Sequence, residues 1–402
     1  KSFVIDKHVF PHSGMRVRGN TSRCNNKRQY KIKVNPEAED LYEEWNNAPD
    51  MDGGAKRRRL FGLKTLNLRA SENDGSMIRE RLSSELFTQI DQVKTRQVRG
   101  GPVYRLAFAK VFVTFEQTER SGSFQHKIGE HYYDYRGLYA IAEDVDDVFV
   151  QTRLQQDEEE VAGVLFQGSL AGATFKANSF KPKFYALEEN MLSEQFPGGN
   201  GDDVANALMK ELIAKVQTTQ GEGNWEKFLD VDSFVNYVAG VILTGHWDGL
   251  LANGNNDVLF YNEKTGKWQM FVWDLDNTLG VRMVARDGQG RMHFHGNGFI
   301  GPDYKIHAFG KLKLPLFLKL FAEGNPNFRG KLQRRLHAAI KAMNEVPSGF
   351  YSKQEMTDRI VYLREKVRSN VEAWEGFSEE NYEPIFFFAH VVNDKLAPQV
   401  AQ

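Results

Sequence analysis

Residues 230–280, DVDSFVNYVAGVILTGHWDGLLANGNNDVLFYNEKTGKWQMFVWDLDNTLG, decide how the chain is read. Phe234, Val238, Val241 and Ile242 recur at helical spacing behind Asp232, a residue suited to an N-cap, so 230–243 reads as a largely buried helix ending at Gly245. His246, Trp247, Asp248, Asn253, Asn255 and Asn256 follow without apolar periodicity, as a polar loop that is costly to bury unless it carries a function. Residues 257–261 and 267–273 are rich in β-branched and aromatic side chains, and Glu263-Lys264-Thr265-Gly266 between them supplies a hairpin turn. Side chains alternate on the second strand. If it stays extended, Val272, Asp274 and Asp276 share a face and two carboxylates emerge side by side near its end.

Upstream, residues 14–34 read as strand, glycine-containing polar turn and strand, with Arg16 and Arg18 alternating on the first and Lys31 and Lys33 on the second. A small-residue turn flanked by cations suits phosphate, because backbone N–H groups approach it closely; an ordinary basic hairpin is the competing reading. The basic run at 56–59 reads as a solvated loop face. Residues 63–69 form a strand, 73–76 a capping turn, and 77–90 a helix with Leu82, Leu86 and Ile90 at helical spacing. Arg79 on its first turn opposes the helix dipole and so calls for a partner, either a carboxylate or a bound phosphate.

Residues 103–115 and 136–142 read as strands joined by a polar connection, 116–135, whose His126 and His131 lack acidic or cysteine companions and read as exposed loop. Residues 151–203 are poorly periodic, 204–216 carry a helical apolar stripe, and the glycine-rich 288–301 with His293 and His295 reads as a loop. Residues 314–321, 328–343 and 353–371 are helical scaffold.

The 52 basic and 53 acidic residues nearly cancel, so overall charge gives no reason to expect nucleic acid as a partner. The single Cys24 excludes an intramolecular disulfide framework and a multi-cysteine zinc site. No apolar run approaches the roughly 18 residues of a membrane span.

Helix, loop with Asp and Asn, hairpin, then Asp at the strand end is the order of parts in a protein-kinase-like active site. RGNTSR (18–23), KRQYKIKV (27–34), LNLRASENDGSMIRERL (66–82), GLYAIAEDV (137–145), GHWDG (245–249), the pair at 255–256 and WDLDNTLG (273–280) together resemble the spore coat protein H (CotH) kinase family, in family order over about residues 14–280. The resemblance implies an α+β, atypical two-lobed kinase-like fold, with a β-rich lobe over 1–145 and a mainly helical lobe over 146–402. It implies transfer of phosphate from ATP, with Mg2+ or Mn2+, to Ser/Thr residues of a protein, with the chain itself as one candidate acceptor. Secreted, cell-surface or spore-coat association follows from the same likeness. AMP transfer from ATP by the same fold, or a non-catalytic surface or coat binding protein, are the alternatives.

By resemblance Asp248 is the catalytic-loop Asp, Asp274 a metal ligand and Asp276 a second one. Asn256, just before the strand, looks like the metal-binding Asn, whereas the D-x-x-x-x-N spacing of ordinary kinases selects Asn253, so Asn253, Asn255 and Asn256 all stand. Lys31 is the phosphate-pairing lysine by position, with Lys27 and Lys33 competing. Arg18 and Ser22 line the nucleotide-side turn, Arg79 joins the nucleotide-binding set, and Glu143 marks the hinge where adenine binds. The connection 116–135 and the stretch 151–203 look expanded, which bears on substrate access.

Overall fold

A computed structural model of the chain describes residues 3–5, 8–10, 13–19, 23, 27–34, 60, 62–71, 74–92, 103–113, 125–128, 131–154, 160–170, 172–193, 201–279, 282–286, 292–295, 315–322, 325–344, 353–371, 378–379, 382 and 385. The fold class is α+β, with antiparallel sheets and separate helices. After a short pair, β1 (Phe3–Ile5) with β2 (His8–Phe10), come β3 (Gly14–Val17), β4 (Tyr30–Lys33), β5 (Thr65–Arg69), helix α1 (Arg79–Gln92), β6 (Leu106–Val113), β7 (Gln125–Ile128) and β8 (His131–Glu143). Strands β3 to β8 make one sheet in the order β3-β4-β5-β8-β6, with β7 on β8.

The connection expected at 116–135 thus contains strand: β7 and the first half of β8 form a hairpin pairing Ile128 with His131. Its aromatic residues, Tyr132, Tyr133 and Tyr135, supply the β-favouring side chains that the polar average of the segment hid.

Register decides what this sheet presents. Arg16 pairs with Lys31, Lys31 with Asn67, and Asn67 with Ala142, so directly opposed residues put two cations and an amide in one row on one face. The other face of β4, β5 and β8 is apolar. There Ile32, Leu66, Leu68 and Tyr139 join Val34, Leu60, Leu63 and Ala70 in a small core of their own.

The next elements are α2 (Asp147–Leu154), β9 (Gly163–Gly168), β10 (Tyr185–Met191), α3 (Gly201–Thr218), α4 (Glu222–Trp225), α5 (Val231–Thr244), α6 (Leu250–Asn253), β11 (Asp257–Asn262) and β12 (Lys267–Val272). Strands β9 to β12 form a second sheet, β10-β9-β11-β12. The poorly periodic stretch 151–203 therefore supplies two of its strands. Both faces of β9 are buried, which removes the alternation by which a half-exposed strand is recognised.

Helix α5 matches the expected span to within one residue at each end, but its cap lies two residues earlier than the sequence suggests. Asp230, rather than Asp232, is the N-cap and accepts from the Ser233 N–H, and Gly245 closes the helix at φ 63°. Nearly the whole helix is buried, and Phe87 of α1 lies so close to Gly240 that a Cβ there would meet its ring at 2.2 Å. Glycine at 240 is what lets the two helices touch. Beyond β12 are β13 (Arg282–Arg286), β14 (Met292–His295), α7 (Pro315–Phe317) with a π-helical continuation (Leu318–Ala322), α8 (Pro326–Asn344) and α9 (Lys353–Arg368). His293 and His295, expected in a loop, fall in β14. The larger core runs from α1 through the second sheet and α5 to α8 and α9. Among the described residues no helix is long and apolar enough to cross a membrane.

Candidate functional site

The open end of the β11–β12 hairpin, where Asp257 pairs with Val272, organises the site. The residue just before β11 and the second residue after β12 are both left-handed, Asn256 at φ 52° and Asp274 at φ 61°. Asn and Asp are the side chains that tolerate this region, and residues held there cluster at functional sites. The strand therefore ends at Val272, before alternation reaches the carboxylates. Asp274 and Asp276 still meet, close enough for the Asp274 charge to raise the Asp276 carboxyl, but the turn that follows the strand brings them together.

Asp248 is half-buried just after α5, and its position is fixed from two directions. Asn256 donates from Nδ2 to Asp248 Oδ2 at 2.9 Å and to the Asp248 carbonyl at 3.1 Å, while Asn277 donates to the same Oδ2 at 3.3 Å. Of the three asparagines, Asn253 closes α6, Asn255 is half-buried, and Asn256 holds Asp248. Asn277 carries no signal in the sequence, because nothing in its spacing separates it from an ordinary turn amide. His246 is fully buried with Nδ1 3.4 Å from the Asn277 carbonyl, and burial pushes its pKa down to about 4, so the ring is neutral. A Cβ on Gly249 would lie 2.6 Å from the His246 ring and 3.1 Å from the Tyr237 hydroxyl, which itself accepts from the Leu250 N–H at 3.0 Å. The chain around Asp248 is thus seated on buried side chains.

Facing this end is the polar row of the first sheet. Lys31 contacts Asp144 at 2.6 Å, and Asn67 donates to the same carboxylate at 2.8 Å. Arg69, at the end of β5, is the centre of charge: Nε donates to Glu80 at 2.8 Å, Nη2 bonds Asp274, and Asp276 lies 3.8 Å from Nη2. An ion pair between a strand cation and a carboxylate on the helix after that strand is the arrangement a kinase uses for its phosphate-binding cation. Here it involves Arg69 and Glu80, one strand over from Lys31. The sequence reading missed Arg69 because a cation in LNLRA shows no partner until the helix is docked. Tyr104 donates its hydroxyl to Glu80 at 2.5 Å, accepts from the Leu275 N–H at 3.1 Å, and packs its ring 4.6 Å from that of Trp273.

Arg18 lies over Trp273, 5.1 Å from the ring centre, and Arg69 is 5.6 Å from the same ring. Burial, followed by repulsion from Arg69, lowers the Arg18 pKa. One buried N–H group of each guanidinium, Nη1, has no hydrogen-bond partner. Burial works to raise Asp274, but Arg69 and Arg18 outweigh it and hold the carboxylate below its ordinary value. Asp276 goes the other way: burial, reinforced by the Asp274 charge, pushes it well up, and its Oδ1 is buried without a partner. Orphaned donors beside orphaned carboxylate oxygen suit a ligand that brings both anion and cation.

Burial and partners set two of the expected residues apart from this group. Arg79 is wholly buried, with Nη1 on Asp74 at 2.5 Å and Ser76 Oγ at 3.0 Å, and Nε directed to the Leu279 carbonyl at 3.3 Å. The partner it meets is the carboxylate of Asp74. Glu143 is equally inaccessible: Arg153 holds it at 2.7 Å and Arg105 at 3.1 Å, so its carboxylate anchors the end of β8, and the side chain turned to Lys31 is that of Asp144. Ser22 lies outside the described residues. A separate trio, Asp146, Asp147 and Glu189, brings ligand atoms within 4.8 Å of one another, but Lys64 sits on it at 2.5 and 3.5 Å.

Residues 15–385 match the family described as CotH kinase protein. Inner spore coat protein H of Bacillus subtilis is 22% identical over 310 residues, covering 76% of this chain and 68% of that protein. Invasin CotH3 of Rhizopus delemar is 33% identical over 112 residues, which cover 27% of this chain and only 17% of the invasin. With the match spanning nearly its whole length, the chain belongs to the CotH kinase family.

Proposed function

We propose that this chain transfers the γ-phosphate of ATP to Ser/Thr hydroxyls of a protein substrate, with Mg2+ or Mn2+, and that it acts at a coat or cell surface. The surface assignment rests on the names of the two relatives, a spore coat protein and an invasin. The chemistry rests above all on one observation. Asp248, gripped by Asn256 and Asn277, stands at the same hairpin end as Asp274 and Asp276, opposite two buried guanidinium groups with unpartnered N–H.

The residues fit a divalent cation. Asp274, Asp276 and the amide oxygen of Asn256 are the hard oxygen donors that Mg2+ or Mn2+ takes, and the Asn256 nitrogen is already spent on Asp248. Such an ion, when bound, neutralises phosphate charge. The chain's own residues do the rest. Arg69, braced by Glu80, and Arg18, backed by Trp273, offer the cationic N–H groups that bind phosphate oxygens. Lys31, steadied by Asp144, extends that row outward. Asp248 accepts the hydrogen bond of the acceptor hydroxyl and orients it for attack, while its two amide donors fix the carboxylate's rotation. In a phosphoryl transfer, positioning and charge stabilisation of this kind account for most of the catalysis.

The test uses ATP labelled on the γ or the α phosphate, with wild type, Asp248→Ala and Asp274→Ala. Protein-bound label from γ alone, lost in both variants, is the expected result. Label from α would replace phosphorylation with AMP transfer. No labelling and no ATP binding under either metal would leave a non-catalytic surface protein.

A further inference from the structure

We propose that Tyr104 is a positioning residue for this site, tying the Arg69–Glu80 pair to the turn that carries Asp274 and Asp276; the proposal rests on the phosphotransfer reading above. Tyr104 lies just before β6, outside every sequence motif that points to the site, and is fully buried. Its hydroxyl makes two directional bonds at once. It donates to Glu80 Oε1 at 2.5 Å, and it accepts at 3.1 Å from the backbone N–H of Leu275, the residue between the two carboxylates.

These two bonds join elements from different parts of the fold. Glu80 belongs to α1 and turns its other contacts to Arg69 of β5, whereas Leu275 belongs to the turn after β12. The ring adds a third contact, 4.6 Å from Trp273, the platform on which Arg18 and Arg69 lie. One side chain therefore reaches the carboxylate that braces the cation, the backbone that aims Asp274, and the aromatic face beneath both guanidiniums. Asp274 needs such a fixture, since its left-handed backbone at φ 61° has no strand pairing to hold it. A partner that orients a ligating side chain without touching the ligand is the kind of outer contact whose loss weakens metal binding about 10- to 100-fold.

The experiment compares Tyr104→Phe with Tyr135→Phe. Tyr135 is a second buried tyrosine, and its hydroxyl donates to the Asn370 carbonyl at 3.0 Å, at the far end of β8. Both substitutions keep the ring and remove a hydroxyl. Each variant is unfolded in urea without ligand and titrated by calorimetry with Mn2+ plus a non-hydrolysable ATP analogue. Both should lower the urea midpoint. Only Tyr104→Phe should weaken the Mn2+-nucleotide complex, by about tenfold or more, while Tyr135→Phe changes it less than about twofold. Equal affinities in the two variants would overturn the role of Tyr104 and leave the phosphotransfer reading intact. Wild type that binds no Mn2+-nucleotide would overturn both.

Discussion

Two buried ion clusters sit a short way apart along β8 and β5, and they differ in whether their polar atoms are used up. Glu143 is fully enclosed, and its two oxygens take hydrogen bonds from Arg153, Arg105 and the Arg105 backbone. Around Arg69 the charges are as deep, yet Arg69 Nη1, Arg18 Nη1 and Asp276 Oδ1 are buried without partners, and Asp274 has a left-handed backbone. A saturated cluster has nothing left to offer a ligand and works as a joint. An unsaturated one keeps its capacity for something that arrives. Depth and charge alone do not separate them; the family resemblance points to Glu143 as the hinge and passes over Arg69.

The difference can be attacked from both sides. The largest effect is expected at Asp248: Asp248→Asn should lower γ-phosphate transfer by about a thousandfold or more, with a urea midpoint close to wild type. A folded variant that keeps its rate would remove the catalytic half of the comparison. Glu143→Ala should do the reverse, costing about 3–5 kcal/mol of stability by stranding Arg153, while the fraction that remains folded still binds nucleotide. Loss of nucleotide binding by folded Glu143→Ala, followed by calorimetry below its melting range, would mean that the saturated cluster is part of the site after all.

The third effect is one of pH. His246 is buried neutral with a pKa of about 4 against an ordinary 6.5, so the unfolded chain binds the extra proton between these values and stability falls as pH drops from 6.5 to 4. The contribution lost is on the order of 3 kcal/mol. Asp257, which burial raises to about 8, has the opposite sign over this range, so the His246 share is isolated by comparing wild type with His246→Asn. The stability gap between the two should shrink toward pH 4, and a constant gap would place a charged imidazole in the fold. The smallest effect is expected at Lys31. Lys31→Met should weaken ATP about tenfold, less than Arg69→Met, because Arg69 keeps a buried Nη1 without a partner for a phosphate oxygen while Lys31 lies further out on Asp144.

Much of the site lies in the open in residues 230–280. The helix, the Asp248 loop and the hairpin follow from local periodicity and turn chemistry, and those forces act within a few residues. Asp274 and Asp276 are also legible as a pair, although a backbone reversal rather than an extended strand unites them. What sequence cannot display is which long-range partner a buried charge finds. Even at short range the choice is hidden: Arg79 calls for a carboxylate or a phosphate, and the carboxylate it meets, Asp74, lies five residues away. Arg69 meets Asp274 across 205 positions, and Tyr104 meets Leu275 across 171. The two strands hidden in 151–203 escaped for a different reason, burial on both faces of β9 and a register shift in β10 that breaks its alternation.

The hairpin that carries Asn256 and Asp274 at its open end has its closed end at Lys264 and Thr265, both exposed. Six paired residues on each strand separate the two ends, about 20 Å of backbone. Asn256 and Asp274 thus stand side by side because the register pairs Asp257 with Val272, six hydrogen-bonded rungs away from the loop that joins the strands. A short peptide tag or a fluorophore grafted between Lys264 and Thr265 would ride on the same rigid ladder, giving a handle from which the chemistry can be watched without being handled.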